Sequence, residues 1–492
     1  MQIYQAGIAI RGEIIEDDLL EFGGRGMGIT FMSPDPKKYA SRLPLGNAEA
    51  MSDMYALRFD DLLDYIEHLG CCLELGRNAH LRQALEASCL TSSLTPSLLT
   101  SAYQSLPNLF NRDAAREIAE NTIGIGHLDG WMEKTLTDGR KLSIRAFGAR
   151  TLHIVAGNSP AVAAISILRN LITRGDAIIK SPSNDPFTAL AIARTMIDMA
   201  PTHPLTRHLS VAYWKGGDEA VEQQLYQPRN IEKIVAWGGF ASVKHVTKYI
   251  QPGLELISLD PKRSVSIIGP EAFGSEQSLR EAAQRLATDI GAMNQEGCVC
   301  ARVVYALSGS DEAGVDKLDK LGNYCYEAMI RLPSSISTPA KEVGPELRSM
   351  INAARLNDDW YNVIGGLKDE GAIIVSRLPE PVEFAPYLAK RVANLVPIDD
   401  IEEVCAVVDA YTQTIGVYPD SLMDSLRDRL PLFGAQRFVS LGYAAHATLA
   451  GPQDAIESTR ELCKWVVCEK CDPEVTTPLW EEGGEQFKRK AA

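Results

Sequence analysis

The chain has 492 residues and a formal net charge of −15, with 45% hydrophobic and 23% charged residues. This length exceeds what one hydrophobic core serves, so it predicts two large domains and an additional arm. The acidic balance argues against nucleic acid or an anionic membrane surface as a partner. No apolar run approaches the ~18 residues that a membrane span requires.

Residues 1–140 predict a helical amino-terminal cap with a small hairpin. The run IYQAGIAIRGEII15 is typical of two strands turning near Gly12. Residues 57–75 form an amphipathic pattern with Leu62, Ile66 and Leu69 on one side, which predicts a helix. This cap would lie against the domain that follows it.

Residues 141–262 predict a nucleotide-binding domain of the Rossmann type. Short apolar runs alternate with helical stretches, which is the pattern of a parallel sheet covered on both faces. Ligands bind at the carboxyl ends of such strands. These ends carry Gly157-Asn158, Lys180-Ser181 and Gly238-Gly239, although no G-x-G-x-x-G is present.

A thiol follows in the stretch NQEGCVCARVVY305, which is the most informative part of the chain. Residues 279–293 predict an amphipathic helix, and residues 300–307 predict a buried strand. Gly297 lets the backbone before Cys298 approach a ligand closely. A thiol at such a junction can act as a nucleophile. Cys300 competes with Cys298, because both would share one face of a strand.

Residues 263–440 predict a second α/β domain that carries this thiol. Residues 441–492 would complete the fold, and an amphipathic pattern through Ile456, Leu462 and Trp465 predicts a helix over residues 452–468. We expect this tail to pack against the body or against a partner subunit. The fold class is therefore α/β, with a parallel cofactor domain and an α/β catalytic domain.

An ordered set of motifs resembles the aldehyde dehydrogenase superfamily, and more closely the LuxC-type acyl-CoA reductases. The resemblance runs from about residue 140 to residue 470. Its motifs are Gly157-Asn158-Ser159-Pro160, Ile178-Ile179-Lys180, Trp237-Gly238-Gly239, Leu259-Asp260-Pro261-Lys262, Gln295-x-x-Cys298, GAQRFVSLG442 and ELCKWVV467. It implies an aldehyde dehydrogenase-like fold with an oligomerisation arm, and hence a homo-oligomer.

The resemblance also implies a role for each matched residue. Cys298 would attack a thioester carbonyl, its spacing from Gln295 favouring it over Cys300. Asn158 would offer its amide to the developing oxyanion. Lys180 would contact the adenosine ribose of the cofactor, and Gly238-Gly239 would open a helix beneath the pyrophosphate.

Two departures from the superfamily inform the expected reaction. Ser258 stands where the hydrolytic enzymes have the glutamate that activates water, and Glu255 is the nearest acid. The absence of that base favours reduction of an acyl thioester over oxidation of an aldehyde. Ser183 stands where many NAD-preferring relatives have a glutamate, and it would not repel a 2′-phosphate. We therefore expect NADPH, with NADH as the alternative and Lys215 as a further cationic partner.

These patterns predict an NADPH-dependent enzyme that reduces an acyl-CoA, or an acyl group delivered by a protein, through an acyl-S-cysteine, with CoA as leaving group. One alternative is a CoA-acylating aldehyde dehydrogenase that uses NAD. A second is a non-catalytic acyl-holding subunit of a larger complex. The ten scattered cysteines favour a reducing, cytoplasmic location, and their spacing predicts no metal site.

Overall fold

The structure is a computed structural model that describes residues 4–23, 29–446, 448–473, 475–476 and 480. Strands β1 to β20 of this part of the chain are, in order, Tyr4–Gln5, Ile8–Ile10, Glu13–Ile15, Leu19–Gly23, Thr30–Pro34, Met132–Thr135, Lys141–Gly148, Arg150–Ile154, Asp176–Lys180, Leu209–Ala212, Lys233–Trp237, Glu255–Leu259, Arg263–Ile268, Ala301–Ala306, Tyr361–Gly365, Ala372–Ser376, Val392–Pro397, Thr412–Tyr418, Arg437–Ser440 and Cys463–Lys470.

Helices α1 to α17 of the same residues are, in order, Pro36–Tyr39, Ser52–Ala56, Phe59–Cys72, Ala79–Thr91, Pro96–Leu109, Arg112–Thr122, Ile125–Asp129, Pro160–Thr173, Thr188–Met199, Pro204–Arg207, Glu219–Leu225, Phe240–Thr247, Glu276–Gly291, Glu312–Ile330, Pro345–Leu356, Glu402–Cys405 and Asp420–Leu426. The helix expected over residues 279–293 is α13. It begins with a capping box in which the side chains of Ser275 and Ser278 accept from each other's backbone amides.

The first seven-stranded sheet has the order β12-β11-β8-β9-β10-β2-β3. The five strands β12, β11, β8, β9 and β10 are parallel to one another, as the βα pattern predicts. The predicted amino-terminal hairpin is β2–β3, which turns at Arg11 and Gly12, and it extends this sheet through an antiparallel pairing with β10. The hairpin is therefore part of the sheet, while α3 to α6 pack beside it around a shared core.

The second seven-stranded sheet has the order β15-β16-β17-β14-β13-β18-β19. All its pairings are parallel except that of the edge strand β15 with β16. Core clusters cover both faces, one of them built around α13 and α14. The chain thus contains two predominantly parallel α/β units, as the sequence patterns predict.

The prediction of a helix over residues 452–468 is wrong. Residues Cys463–Lys470 form strand β20, which pairs antiparallel with β7 along its whole length, and β6 completes a three-stranded sheet. The β-branched and aromatic residues around Trp465 favour a strand. Pairing of this strand with β7 outweighs the weak helical spacing of the apolar residues. Trp131, Met132, Val466 and Val467 leave apolar surface exposed on this sheet.

None of the helices in the described part of the chain is both long enough and apolar enough to span a membrane.

Candidate active site

Three neighbouring strands of the first sheet end beside one another and carry most of the predicted cofactor residues. β11, β8 and β9 are adjacent and parallel, with Ile154 of β8 opposite Lys180 of β9. Asn158 follows β8, and Gly238-Gly239 follow β11. The structure therefore brings these residues to one edge of the sheet, as expected for parallel strands.

The thiol lies in a loop between α13 and β14 rather than on the strand. Met293, Asn294 and Gln295 are consecutive left-handed residues with φ of 50°, 53° and 63°. The buried Gln295 side chain holds this turn: its Nε2 donates to the carbonyls of Ala301 (2.7 Å) and Val392 (3.0 Å), and its Oε1 accepts from the Val392 amide (3.0 Å). Such backbone strain persists only where the surroundings determine it. Gln295 thus fixes the loop that presents Cys298.

The two sheets meet at this loop. Asn158 Nδ2 donates to the carbonyl of Glu296 at 3.1 Å, two residues before Cys298. Asn158 Oδ1 is buried without a partner, so only the nitrogen of this side chain is hydrogen-bonded within the described protein. Since the amide has two hydrogens, a second N–H is left for a ligand beside the thiol.

The two candidate thiols have different environments. Cys298 is partly exposed, whereas Cys300 is buried and its Sγ donates to the Ala292 carbonyl at 3.2 Å. Burial raises the pKa of Cys300 to about 12, so its thiolate is scarce at neutral pH. Burial also raises the pKa of Cys298, and the negative charge of Asp454 adds to this effect. The Cys298 thiol is therefore reachable but needs activation.

Three residues beside Cys298 were missed in the sequence. The Gln413 side-chain amide and the Arg302 guanidinium both lower the pKa of the thiol, and Asp454 opposes them. Gln413 Nε2 donates to Asp454 Oδ1, which joins the start of β18 to the carboxyl-terminal segment. Arg302 could have been noticed as a cation close in sequence to both cysteines, but no sequence pattern marks Gln413 or Asp454.

Lys180 is the cation on the cofactor side. It is 9% exposed, its Nζ lies 5.5 Å from the centre of the Trp214 ring, and it has no hydrogen bond within the described chain. Burial lowers the pKa of Lys180 to about 8, although the carboxylate of Glu222 acts in the opposite direction. A buried ammonium without a bonded partner suits an anionic ligand.

The start of α12 leaves room for a pyrophosphate. A Cβ added at Gly239 would meet nothing within 4 Å, and one at Gly238 would come no closer than 3.4 Å to Ser242. Gly239 is the N-cap of α12, and no side chain caps the helix. Free amides and open space at a helix start fit a phosphate. The residues present therefore fit a dinucleotide.

The remaining predicted residues lie near the ends of β9, β10 and β12. Ser183 is partly exposed after β9, and Lys215 is exposed after β10. Ser258 donates a hydrogen bond to Asp260 near the carboxyl end of β12, whereas Glu255, at the amino end, pairs with Lys233 at 2.7 Å. Glu255 is thus engaged at the opposite end of the strand. Among the described residues, no group of three or more His, Cys, Asp or Glu is arranged to hold a metal ion.

Solved aldehyde dehydrogenases share the fold. A lactaldehyde dehydrogenase from Escherichia coli is 14% identical, with a TM-score of 0.71 over 95% of this chain and 100% of that one. The NADP-dependent glyceraldehyde-3-phosphate dehydrogenase from Bacillus halodurans, solved with NADP, is 11% identical, with a TM-score of 0.70 over 95% of this chain and 99% of that one. At these identities the likeness establishes the fold alone.

Sequence relatives are more specific. A long-chain acyl-protein thioester reductase from Photorhabdus laumondii is 30% identical over 371 residues, covering 74% of this chain and 72% of its own length. The protein of the same description from Photobacterium phosphoreum is 25% identical over 425 residues, covering 85% and 78%. Residues 58–465 match the family described as acyl-CoA reductase (LuxC). The chain therefore belongs to the LuxC acyl-CoA reductase family of oxidoreductases.

Proposed function

We propose that this protein reduces a long-chain acyl thioester to the aldehyde with NADPH, through an acyl group held on Cys298. The observation that carries the proposal is the contrast between the two thiols. Cys298 is partly exposed and lies two residues after the carbonyl that the Asn158 amide binds, whereas Cys300 is buried and bonded to the Ala292 carbonyl. The relatives named as long-chain acyl-protein thioester reductases support this choice of substrate class.

In the first step, Cys298 Sγ attacks the thioester carbonyl, and the carrier thiol leaves. The carbonyl oxygen gains negative charge, and the second N–H of Asn158 is available to stabilise it. Gln295 keeps the loop in place while the sulfur changes its bonding, because its three hydrogen bonds anchor the turn to β14 and β17. The product of this step is an acyl-S-cysteine.

Lys180, Ser183, Gly238 and Gly239 would hold NADPH. When bound, this cofactor supplies the hydride that reduces the acyl carbon. The amides at the start of α12 would bind the pyrophosphate, and the Lys180 ammonium would pair with the 2′-phosphate, a group that Ser183 does not repel. Asn158 then holds the hemithioacetal oxyanion until the bond from carbon to Cys298 breaks and the aldehyde leaves.

The position of Ser258 favours this direction of the reaction. Ser258 donates to Asp260 and offers no carboxylate, and Glu255 is paired with Lys233. Without a carboxylate at position 258 to activate water, the acyl-enzyme persists long enough for reduction. A thioester of CoA and one of an acyl-carrying protein are both candidate donors. The cytoplasmic location and the homo-oligomer stay predictions.

A panel of acyl-CoA chain lengths, assayed separately for consumption of NADPH and NADH, tests the proposal. We expect aldehyde in equal amount to NADPH consumed, with long chains preferred. Formation of acyl-CoA from aldehyde and NAD, without reduction of any acyl-CoA, would instead support the acylating dehydrogenase. Binding of acyl groups without any aldehyde would support the acyl-holding subunit.

A further inference from the structure

The turn that carries Asp454 is unusual for its sequence. Asp454 and Ala455 have φ of 54° and 63°, and they connect Gln453 and Ile456, whose backbones exchange hydrogen bonds of 2.8 and 3.0 Å. A two-residue turn with both central residues left-handed normally uses Asn-Gly or Gly-Gly. In this region the Cβ of Ala455 comes too close to the following carbonyl oxygen, so its conformation is strained. Strain of this kind is characteristic of functional sites.

Interactions on both sides hold the turn in place. Gln453 Oε1 accepts from Arg169 Nη2 at 2.9 Å, and Arg169 is almost fully buried on α8. Asp454 Oδ1 accepts from Gln413 Nε2. Gln413 Oε1 is buried without a partner, although an unsatisfied buried acceptor destabilises the folded protein. The side-chain amide of Gln413 therefore directs its nitrogen towards Asp454, and its oxygen accepts no hydrogen bond within the described protein.

The strand that carries Gln413 is tied to the Cys298 backbone, because Ser264 Oγ accepts from the Thr414 amide at 3.2 Å and donates to the Cys298 carbonyl at 2.6 Å. The Gln413 amide also lowers the pKa of the Cys298 thiol. Asp454 and Cys298 thus interact with the same amide. The charged groups acting on Asp454 are Arg169 of α8 and Lys262 and Asp260 after β12, while Arg302 of β14 acts on Cys298. Burial raises the pKa of the Asp454 carboxyl above its ordinary value, which brings it closer to neutral pH.

The proposed reaction requires a proton carrier beside the sulfur. The thiol must lose its proton as it attacks, the departing carrier thiolate must gain one, and Cys298 emerges as a thiolate when the aldehyde leaves. Each turnover therefore takes up one proton from solvent. Ser258 offers no carboxylate for this exchange, and Glu296 is paired with Lys390.

We propose that Asp454, held by Gln413 and the strained turn, exchanges protons with Cys298 during acyl transfer. This inference rests on the proposed function. The carboxylate takes the thiol proton as the bond from Sγ to the acyl carbon forms. It gives that proton to the carrier thiolate as the old carbon–sulfur bond breaks. After reduction, Asp454 is protonated from solvent and returns the proton to the Cys298 thiolate.

The test is the rate of acyl-enzyme formation from pH 5.5 to 9 in a single turnover without NADPH. Asp454→Asn keeps the shape of the side chain but cannot accept a proton. We expect it to acylate ~10²–10⁴-fold more slowly, and a fall in rate towards acidic pH, expected of the wild type, should be absent from this variant. Asp454→Glu should recover part of the rate. Glu457→Gln, which removes an exposed carboxylate of the same segment, should match the wild type.

Alkylation of Cys298 by iodoacetamide separates proton exchange from a structural role. Removal of the Asp454 charge should lower the pKa of the thiol, so that Asp454→Asn is alkylated at least as fast as the wild type at pH 7–8. Equal acylation rates in the wild type and Asp454→Asn would overturn the inference, as would a parallel loss of acylation and alkylation. A wild type that no acyl thioester acylates would overturn the proposed function, and this inference with it.

Discussion

The two seven-stranded sheets contribute opposite ends of their strands to the candidate active site. The first sheet contributes residues that follow its strands: Asn158 after β8 and Gly238-Gly239 after β11. The second contributes residues at or before the starts of its strands: Cys298 before β14 and Gln413 in β18. Ser264 at the start of β13 belongs to this group, since it donates to the Cys298 carbonyl at 2.6 Å.

This difference has a physical reason. Carboxyl ends of parallel strands lead into helix starts, whose free amides suit the phosphates of a cofactor. Amino ends of strands lack such amides, and the thiol there is surrounded by individual side chains with opposed effects on its pKa. In the proposed mechanism the first sheet therefore supplies the cofactor contacts and the oxyanion donor, and the second sheet supplies the nucleophile and the groups that act on its proton. The following predictions test that division.

The largest effect should come from the thiol itself. Cys298→Ala should abolish aldehyde formation, because no other reachable thiol lies beside Asn158 in the described structure, and NADPH binding should remain. Cys300→Ala is the matched control and should keep substantial activity, since Cys300 is buried and bonded to Ala292. The measurement is aldehyde yield together with NADPH affinity. Loss of NADPH binding in Cys298→Ala would contradict the division between the sheets.

Ser258→Glu should place a carboxylate where hydrolytic relatives have one. A base within reach of the thioester typically accelerates water attack ~10²–10⁴-fold. Loss of label from the isolated acyl-enzyme without NADPH should speed up accordingly, and aldehyde yield should fall. A wild type that deacylates as fast as the variant would show that another group activates water. Asp454 would then be the first suspect, because Glu255 is paired at the far end of β12.

Asn158 links the two sheets, and its substitution should affect the chemistry more than cofactor binding. Removal of one oxyanion donor costs about 10²–10³ in kcat. Asn158→Ala should show that loss with a nearly unchanged KM for NADPH. An increase in this KM with kcat preserved would assign Asn158 to the cofactor side.

Ser183→Glu should weaken NADPH more than NADH, by roughly 1–3 kcal/mol for an anion facing a 2′-phosphate in a partly screened site. Ser183→Gln, of similar size but neutral, is the control for steric effects. The measurement is the ratio of the two dissociation constants by titration. An unchanged ratio would mean that residue 183 does not face the ribose.

The smallest effect concerns pH. Because the pKa of Lys180 is lowered to about 8 in the free protein, this side chain is fully protonated only well below pH 8. Binding of a 2′-phosphate favours the charged form, so NADPH affinity should change little near pH 7 and fall above pH 8, by at most about tenfold per pH unit. NADH affinity should change less. Lys180→Arg should remove the dependence, and a variant that retains it would exclude Lys180 as its source.

The sequence predicted the first sheet well, because each of its site residues follows an apolar strand within a βα unit. Asn158, Lys180 and Gly238-Gly239 could be placed at one edge from that pattern alone. Gln413 and Asp454 could not, since neither belongs to a motif and their proximity to Cys298 depends on β18 and a turn 41 residues further along the chain. Strand β20 was also mistaken for a helix, because its pairing partner β7 lies more than 300 residues earlier.

Mapping the acyl group tests the central claim most directly. The wild type is acylated with a labelled long-chain acyl thioester in the absence of NADPH, digested at a pH that preserves thioesters, and analysed by peptide mass spectrometry. We expect one acyl group per chain on Cys298, released as aldehyde when NADPH is added before digestion. A label on Cys300, or a label on Cys298 that NADPH does not convert to aldehyde, would contradict the account.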